Sequence, residues 1–141
     1  MAATMKIRLE RTENVQFVAT NAAGAKLVID GPADMGGKDA GLRPMETLLS
    51  ALAGCSSIDV IHIMSKQRQD LRSLAVEVEG ERADAVPAVF TKIHLKFIGG
   101  GPIDLAKFQK AVDLSMEKYC SVSHMLQPKA QIVAEAVLAA V

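Results

Sequence analysis

The sequence predicts an α+β fold, and three observations predict it. Short stretches place apolar residues at every second position, a long apolar run follows the helical repeat, and the strand-like pieces are grouped instead of alternating strictly with helices. The chain has 141 residues and a mass of 15.0 kDa, which suits a single domain, 1–141, around one core. Hydrophobic residues make up 50% and charged residues 23%, a balance that disfavours disordered, collagen-like and coiled-coil chains. Sixteen Lys plus Arg cancel sixteen Asp plus Glu, so no basic field attracts a phosphate backbone. With four Phe, one Tyr and no Trp there is also little to stack bases, and no nucleic-acid partner is expected.

Taken in order, Ile7 and Leu9 alternate with Lys6, Arg8 and Glu10, Val15 and Phe17 repeat the spacing, and Leu27 to Ile29 follow a turn over Asn21 to Gly24. These pieces read as a three-stranded antiparallel meander. Residues 31–42, with Gly31, Pro32, Gly36, Gly37 and Gly41, read as a flexible connection that could border a site. Pro44 then opens a helix to about Gln69 whose Met45, Leu48, Leu49, Leu52, Cys55, Ile58, Ile61, Ile63 and Met64 cover most of its circumference. A helix apolar on most sides is a buried one. At 1.5 Å per residue it spans roughly 39 Å, more than one small domain encloses, so a second subunit is expected over part of it.

Two strands follow, because Leu74, Val76 and Val78 alternate with Glu77 and Glu79, and Ile93, Leu95 and Phe97 alternate with Lys92, His94 and Lys96. Gly99-Gly100-Gly101-Pro102 breaks the chain before a helix with the single apolar stripe Leu105, Phe108, Val112, Met116 and Tyr119. A short helical turn follows Cys120. Residues 130–139 read as a strand from the alternation of Ile132, Ala134, Ala136 and Leu138, although the alanines also suit a helix. The first residues lack the apolar core of a signal peptide, and polar residues interrupt the apolar stretches short of a membrane span, so the expected location is the cytoplasm without membrane contact.

Cys55 and Cys120 lie 65 residues apart with no CxxC and no cluster of His or Cys nearby, which removes the usual zinc-site and thioredoxin-like spacings. No metal and no cofactor is expected. Any disulfide in a reducing compartment would be transient. Cys55, in mid-helix, packs as a small apolar residue or reacts; Cys120, at a helix end with a new turn beginning, gains thiolate character from that N-terminus or packs in the core. Asp59 stands one turn beyond Cys55, where a buried carboxylate raises a thiol pKa unless a cation neutralises it; the alternative is a structural pairing. His62, His94 and His124 receive no role.

The runs Gly41-Leu42-Arg43-Pro44-Met45-Glu46-Thr47-Leu48-Leu49-Ser50-Ala51-Leu52-Ala53-Gly54-Cys55-Ser56-Ser57-Ile58-Asp59-Val60 and Ala111-Val112-Asp113-Leu114-Ser115-Met116-Glu117-Lys118-Tyr119-Cys120-Ser121-Val122 resemble the OsmC/Ohr superfamily of osmotically inducible and organic-hydroperoxide-resistance proteins, nearest its YhfA-like branch. The resemblance covers nearly the whole chain. It implies an OsmC-like fold, antiparallel sheets around a long central helix in an intertwined homodimer, with sites at the subunit boundary. It also implies that the Cys55 thiolate attacks an organic hydroperoxide and becomes a sulfenic acid, that Cys120 condenses with it to a disulfide, and that a dithiol reductant reopens the bond.

Two positions depart from the family pattern. Met45 stands where relatives carry a supporting Glu, with Glu46 one residue later, nine positions before Cys55 and about 180° round an ideal helix from it. Glu46 is therefore a candidate site residue or a first-turn carboxylate favourable to the helix dipole. Val15 stands opposite the family's Arg, which leaves Arg8, Arg11, Arg43 and Arg82 as unplaced cations. The expected function is thiol-dependent reduction of organic hydroperoxides. The alternative is a non-catalytic dimer that binds a small hydrophobic or thiol ligand in an interfacial pocket, and a third reading leaves both cysteines inert.

Overall fold

A computed structural model describes residues 2–140. Its contacts divide into two compact units, one ending at Leu48 and the other starting at Leu49. In the first, β1 (Ile7–Glu13), β2 (Gln16–Asn21) and β3 (Lys26–Asp30) pair antiparallel in the order β1-β2-β3, as the alternation predicts. The β1–β2 turn places Asn14 at φ 45°, and the β2–β3 turn places Gly24 at φ 88°, a left-handed geometry that glycine reaches without a Cβ penalty. Asn21 closes that second turn, its Oδ1 accepting from the backbone N–H groups of Ala23 and Ala25.

The segment 31–42 is more ordered than its glycines suggest. Asp30, 1% exposed, accepts through Oδ1 from the Gly31 N–H at 2.9 Å and through Oδ2 from the Lys38 and Ala40 N–H groups at 2.9 and 3.2 Å. One carboxylate thus satisfies three backbone donors in place of a regular ladder. These bonds, that of Lys38 foremost, hold the Asp30 carboxyl below its ordinary value. A short 3₁₀ turn at Ala33–Met35 and a bridge between Ile29 and Leu42 complete the segment.

The helix α1 (Pro44–Lys66) begins in the first unit and continues through the second. It stops at Lys66, short of Gln69, because Arg68 turns left-handed at φ 57° while the Gln69 N–H returns to the Met64 carbonyl. Only one stripe of it is buried: Leu52, Ser56, Val60 and Met64, four residues apart. Ile58 and Ile61 are 70% and 52% exposed, so a single chain does not cover the apolar circumference that the sequence predicts to be buried. By length and composition alone α1 passes the test for a membrane span, with a mean hydropathy of 1.5 in its most apolar window, a test that core helices pass as well. Isolated polar residues such as Asp59 and His62 hardly lower a window average.

The second unit continues with β4 (Ser73–Arg82), β5 (Phe90–Gly100), α2 (Leu105–Leu114), a π-helical turn (Ser115–Tyr119), α3 (Ser121–Leu126) and β6 (Gln131–Leu138). β5 lies centrally, antiparallel to β4 and parallel to β6. The parallel pairing follows from the helical crossover between β5 and β6, which is long enough to bring the chain back in the same direction. On β5, Ile93, Leu95 and Phe97 are wholly buried, and Phe108, Ala111 and Val112 supply the buried stripe of α2. A Cβ on Gly99 would sit 2.6 Å from the Phe108 ring, so this glycine lets the ring lie against the strand.

Candidate functional site

Cys55 and Asp59 are four residues apart on α1 and share a face beside the buried stripe, both half-buried. Cys120 reaches them through a change of helical pitch. The sequence predicts one helix from Leu105 to Tyr119, but α2 ends at Leu114 and widens into the π turn, closed by a 2.7 Å bond from the Cys120 N–H to the Ser115 carbonyl. Cys120 itself is extended, at φ −75° and ψ 106°, and forms the N-cap of α3. Gln127 braces this corner, its Nε2 donating to the Ser123 Oγ at 2.7 Å and to the Met116 carbonyl at 3.0 Å.

The fold therefore unites the two cysteines that the sequence keeps 65 positions apart. They approach to 3.5 Å. Both are unbridged thiols, and their Sγ atoms and a carboxylate oxygen of Asp59 lie within 4.8 Å of one another. The partner of Asp59 is Ser115, whose buried hydroxyl donates to Oδ2 at 2.9 Å, with a longer contact of 3.4 Å to the Ser56 carbonyl. Sequence reasoning missed Ser115. Its signal was a polar side chain one turn after Ala111, where the buried face of α2 runs on into the π turn.

The sulfurs differ. Cys55 is half-buried and Cys120 has no exposed surface. Burial pushes the Cys120 thiol up from 9.0 to about 11; the Ser123 N–H, donating to its Sγ at 3.3 Å, opposes this, while Cys55 and Asp59 add to the rise. Of the two readings of Cys120, burial favours packing in the core over thiolate character from a helix N-terminus. A six-residue helix and one N–H bond are outweighed by desolvation with two electron-rich neighbours.

The other singled-out residues have local partners. Glu46 is exposed in the first turn of α1, and its Oε1 accepts from the Arg43 N–H at 2.8 Å, as in a capping box. Arg8 pairs with Glu10, Arg11 and Arg82 donate to the carbonyls of Asn14 and Ala88, and Arg43 acts electrostatically on Asp30. His94 meets Glu135 at 3.2 Å, and His124 Nε2 lies 3.0 Å from the Glu117 carbonyl oxygen. His62 and Asp59 line a cavity of about 360 Å³ together with Ile63, Lys66, Gln67, Leu114 and Tyr119. Gln67 carries a buried Oε1 without a hydrogen-bond partner.

A family model described as OsmC-like protein matches residues 36–135. Protein YhfA of Escherichia coli K12 is 40% identical over 129 residues, covering 91% of this chain and 93% of that protein. A crystal structure of a hypothetical protein from Aquifex aeolicus VF5 matches with a TM-score of 0.86 at 28% identity, covering 97% of each chain. An organic hydroperoxide resistance protein OsmC from Legionella pneumophila shares the fold at 16% identity, with a TM-score of 0.72 over 96% of this chain and 98% of that one.

Proposed function

This chain belongs to the OsmC-like protein family, and on that premise we propose that it reduces organic hydroperoxides through Cys55 and Cys120. The observation that carries the reading is the pair of unbridged sulfurs, one half-buried and one enclosed. Cys55 is the thiol a solute can approach. As a thiolate it attacks the peroxide O–O bond, releases the alcohol and becomes a sulfenic acid. Cys120, held as a thiol until its partner is oxidised, condenses with that sulfenic acid, expels water and closes the disulfide. A dithiol reductant restores the pair.

In this proposal Glu46 is a positioning residue that fixes the start of α1, and the protein works in the cytoplasm without a cofactor. A homodimer belongs to the same reading, because Ile58 and Ile61 on α1 and Ile7 and Leu9 on β1 are apolar and exposed in the single chain. The cavity beside Asp59 favours a second reading, a non-catalytic member that binds a small hydrophobic or thiol ligand there.

One equivalent of an alkyl hydroperoxide, followed by intact-mass measurement, tests the proposal. The reduced protein should lose two hydrogens, Cys55→Ser should be inert, and Cys120→Ser should stop as a sulfenic acid that a dimedone-type reagent traps. An unchanged wild-type mass sinks the peroxidase reading and leaves the binding one. Glu46→Gln should slow oxidation while leaving the end product the same.

A further inference from the structure

We propose that the reduced chain binds one zinc ion through Cys55 Sγ, Cys120 Sγ and a carboxylate oxygen of Asp59. The local spacing of the sequence contains no zinc motif, since the cysteines come from different helical segments; the fold brings the three ligands together. Their donor atoms lie within 4.8 Å of one another. Around a tetrahedral Zn²⁺, with Zn–S near 2.3 Å and Zn–O near 2.1 Å, ligand separations are about 3.8 Å for two sulfurs and about 3.6 Å for sulfur to oxygen. The set therefore closes on an ion by shifts of about 1 Å or less, within the reach of side-chain rotation.

Donor chemistry selects the metal class. Two thiolates favour zinc or copper(I) over magnesium or calcium, and the hard carboxylate beside them favours the borderline divalent ion. Three protein ligands leave a fourth position for water, as in zinc sites that stay open.

The surroundings are those of oriented ligands. The Ser115 hydroxyl donates to Asp59 Oδ2 at 2.9 Å, and the Ser123 N–H donates to Cys120 Sγ at 3.3 Å. Such bonds from the next layer out fix a carboxylate or a thiolate for a metal. Zinc takes the cysteines as thiolates, so two protons leave for the buffer with each ion bound. On the peroxide reading above, which this site does not require, an occupied site has no free nucleophile.

Titrating reduced protein with Zn²⁺ against a chromophoric chelator, without peroxide, tests the site. One ion per chain and two protons released into weak buffer are expected. Cys55→Ser, Cys120→Ser and Asp59→Asn should each weaken binding by more than about 10-fold, a loss that even next-layer changes produce. Diamide-oxidised protein should not bind. Because Cys120→Ser removes a core side chain, a second measurement uses the wild-type protein: Co²⁺ should give a thiolate-to-metal charge-transfer band and tetrahedral d–d absorption. Binding below one ion per chain, wild-type affinity in any folded variant, or a Co²⁺ spectrum without thiolate charge transfer overturns the site. A failure here leaves the peroxide assay unaffected.

Discussion

The two units bury different things. From Leu49 onward, Leu52 and Val60 of α1, Ile93, Leu95 and Phe97 of β5, and Phe108 of α2 are each without exposed surface. Before Leu49, Asp30 is the one buried residue among those described, while Ile7, Leu9, Leu27 and Met35 are exposed. A sheet of three strands needs a covered apolar face to be stable. The difference teaches that the same alternating pattern yields a core only where another apolar surface meets it. The first unit relies on a carboxylate and backbone donors, and its apolar residues are exposed in the single chain.

The contrast is sharpest for a core truncation. Phe108→Ala removes a wholly buried ring and should cost about 3–5 kcal/mol in urea unfolding; a loss under about 1 kcal/mol would mean that the core is not as close-packed as described. Ser115→Ala leaves Asp59 without its hydroxyl donor and should cost about 1–3 kcal/mol, while slowing disulfide closure if the carboxylate positions the thiol pair.

The units should also fail at opposite ends of the pH scale. The Asp30 carboxyl is lowered on folding, so its contribution is present above the ordinary value of 3.8 and is lost as pH falls through the lower, folded value. Asp30→Asn should flatten that acid limb. The Cys120 thiol is raised, so its contribution is complete below 9.0 and disappears as pH climbs toward about 11. Cys120→Ala should remove the alkaline limb, and chemical denaturation across pH measures both.

The smallest effect belongs to the exposed β1. Leu9→Ala should change the stability of a single chain by no more than about 0.5 kcal/mol. A larger loss, together with a melting temperature that rises with protein concentration, would show that a second copy covers this face.

Much of this was legible in the residues. Period-two alternation located β1, β2, β4 and β5 and favoured a strand over a helix for β6, the turn before the run Leu27 to Ile29 located β3, Pro44 marked the start of α1, and the Pro44-to-Cys55 run with Tyr119-Cys120 pointed to the family. The site was only half legible. Both cysteines stood out, but Ser115 was hidden because a lone serine on a helix has many ordinary uses, and the π turn left no periodic mark over five residues. The order within 31–42 was also missed, since glycine-rich segments look alike whether or not one buried carboxylate gathers their N–H groups.

By itself the sequence determined the element types, the family and the two thiols, because periodicity and local steric preference act over neighbouring residues. Tertiary structure alone decided that those thiols meet beside Asp59, that Cys120 is the enclosed one, and which stripe of α1 is covered. The physical reason is range: desolvation and ligand geometry depend on groups brought together across 65 residues, and no local pattern encodes that distance.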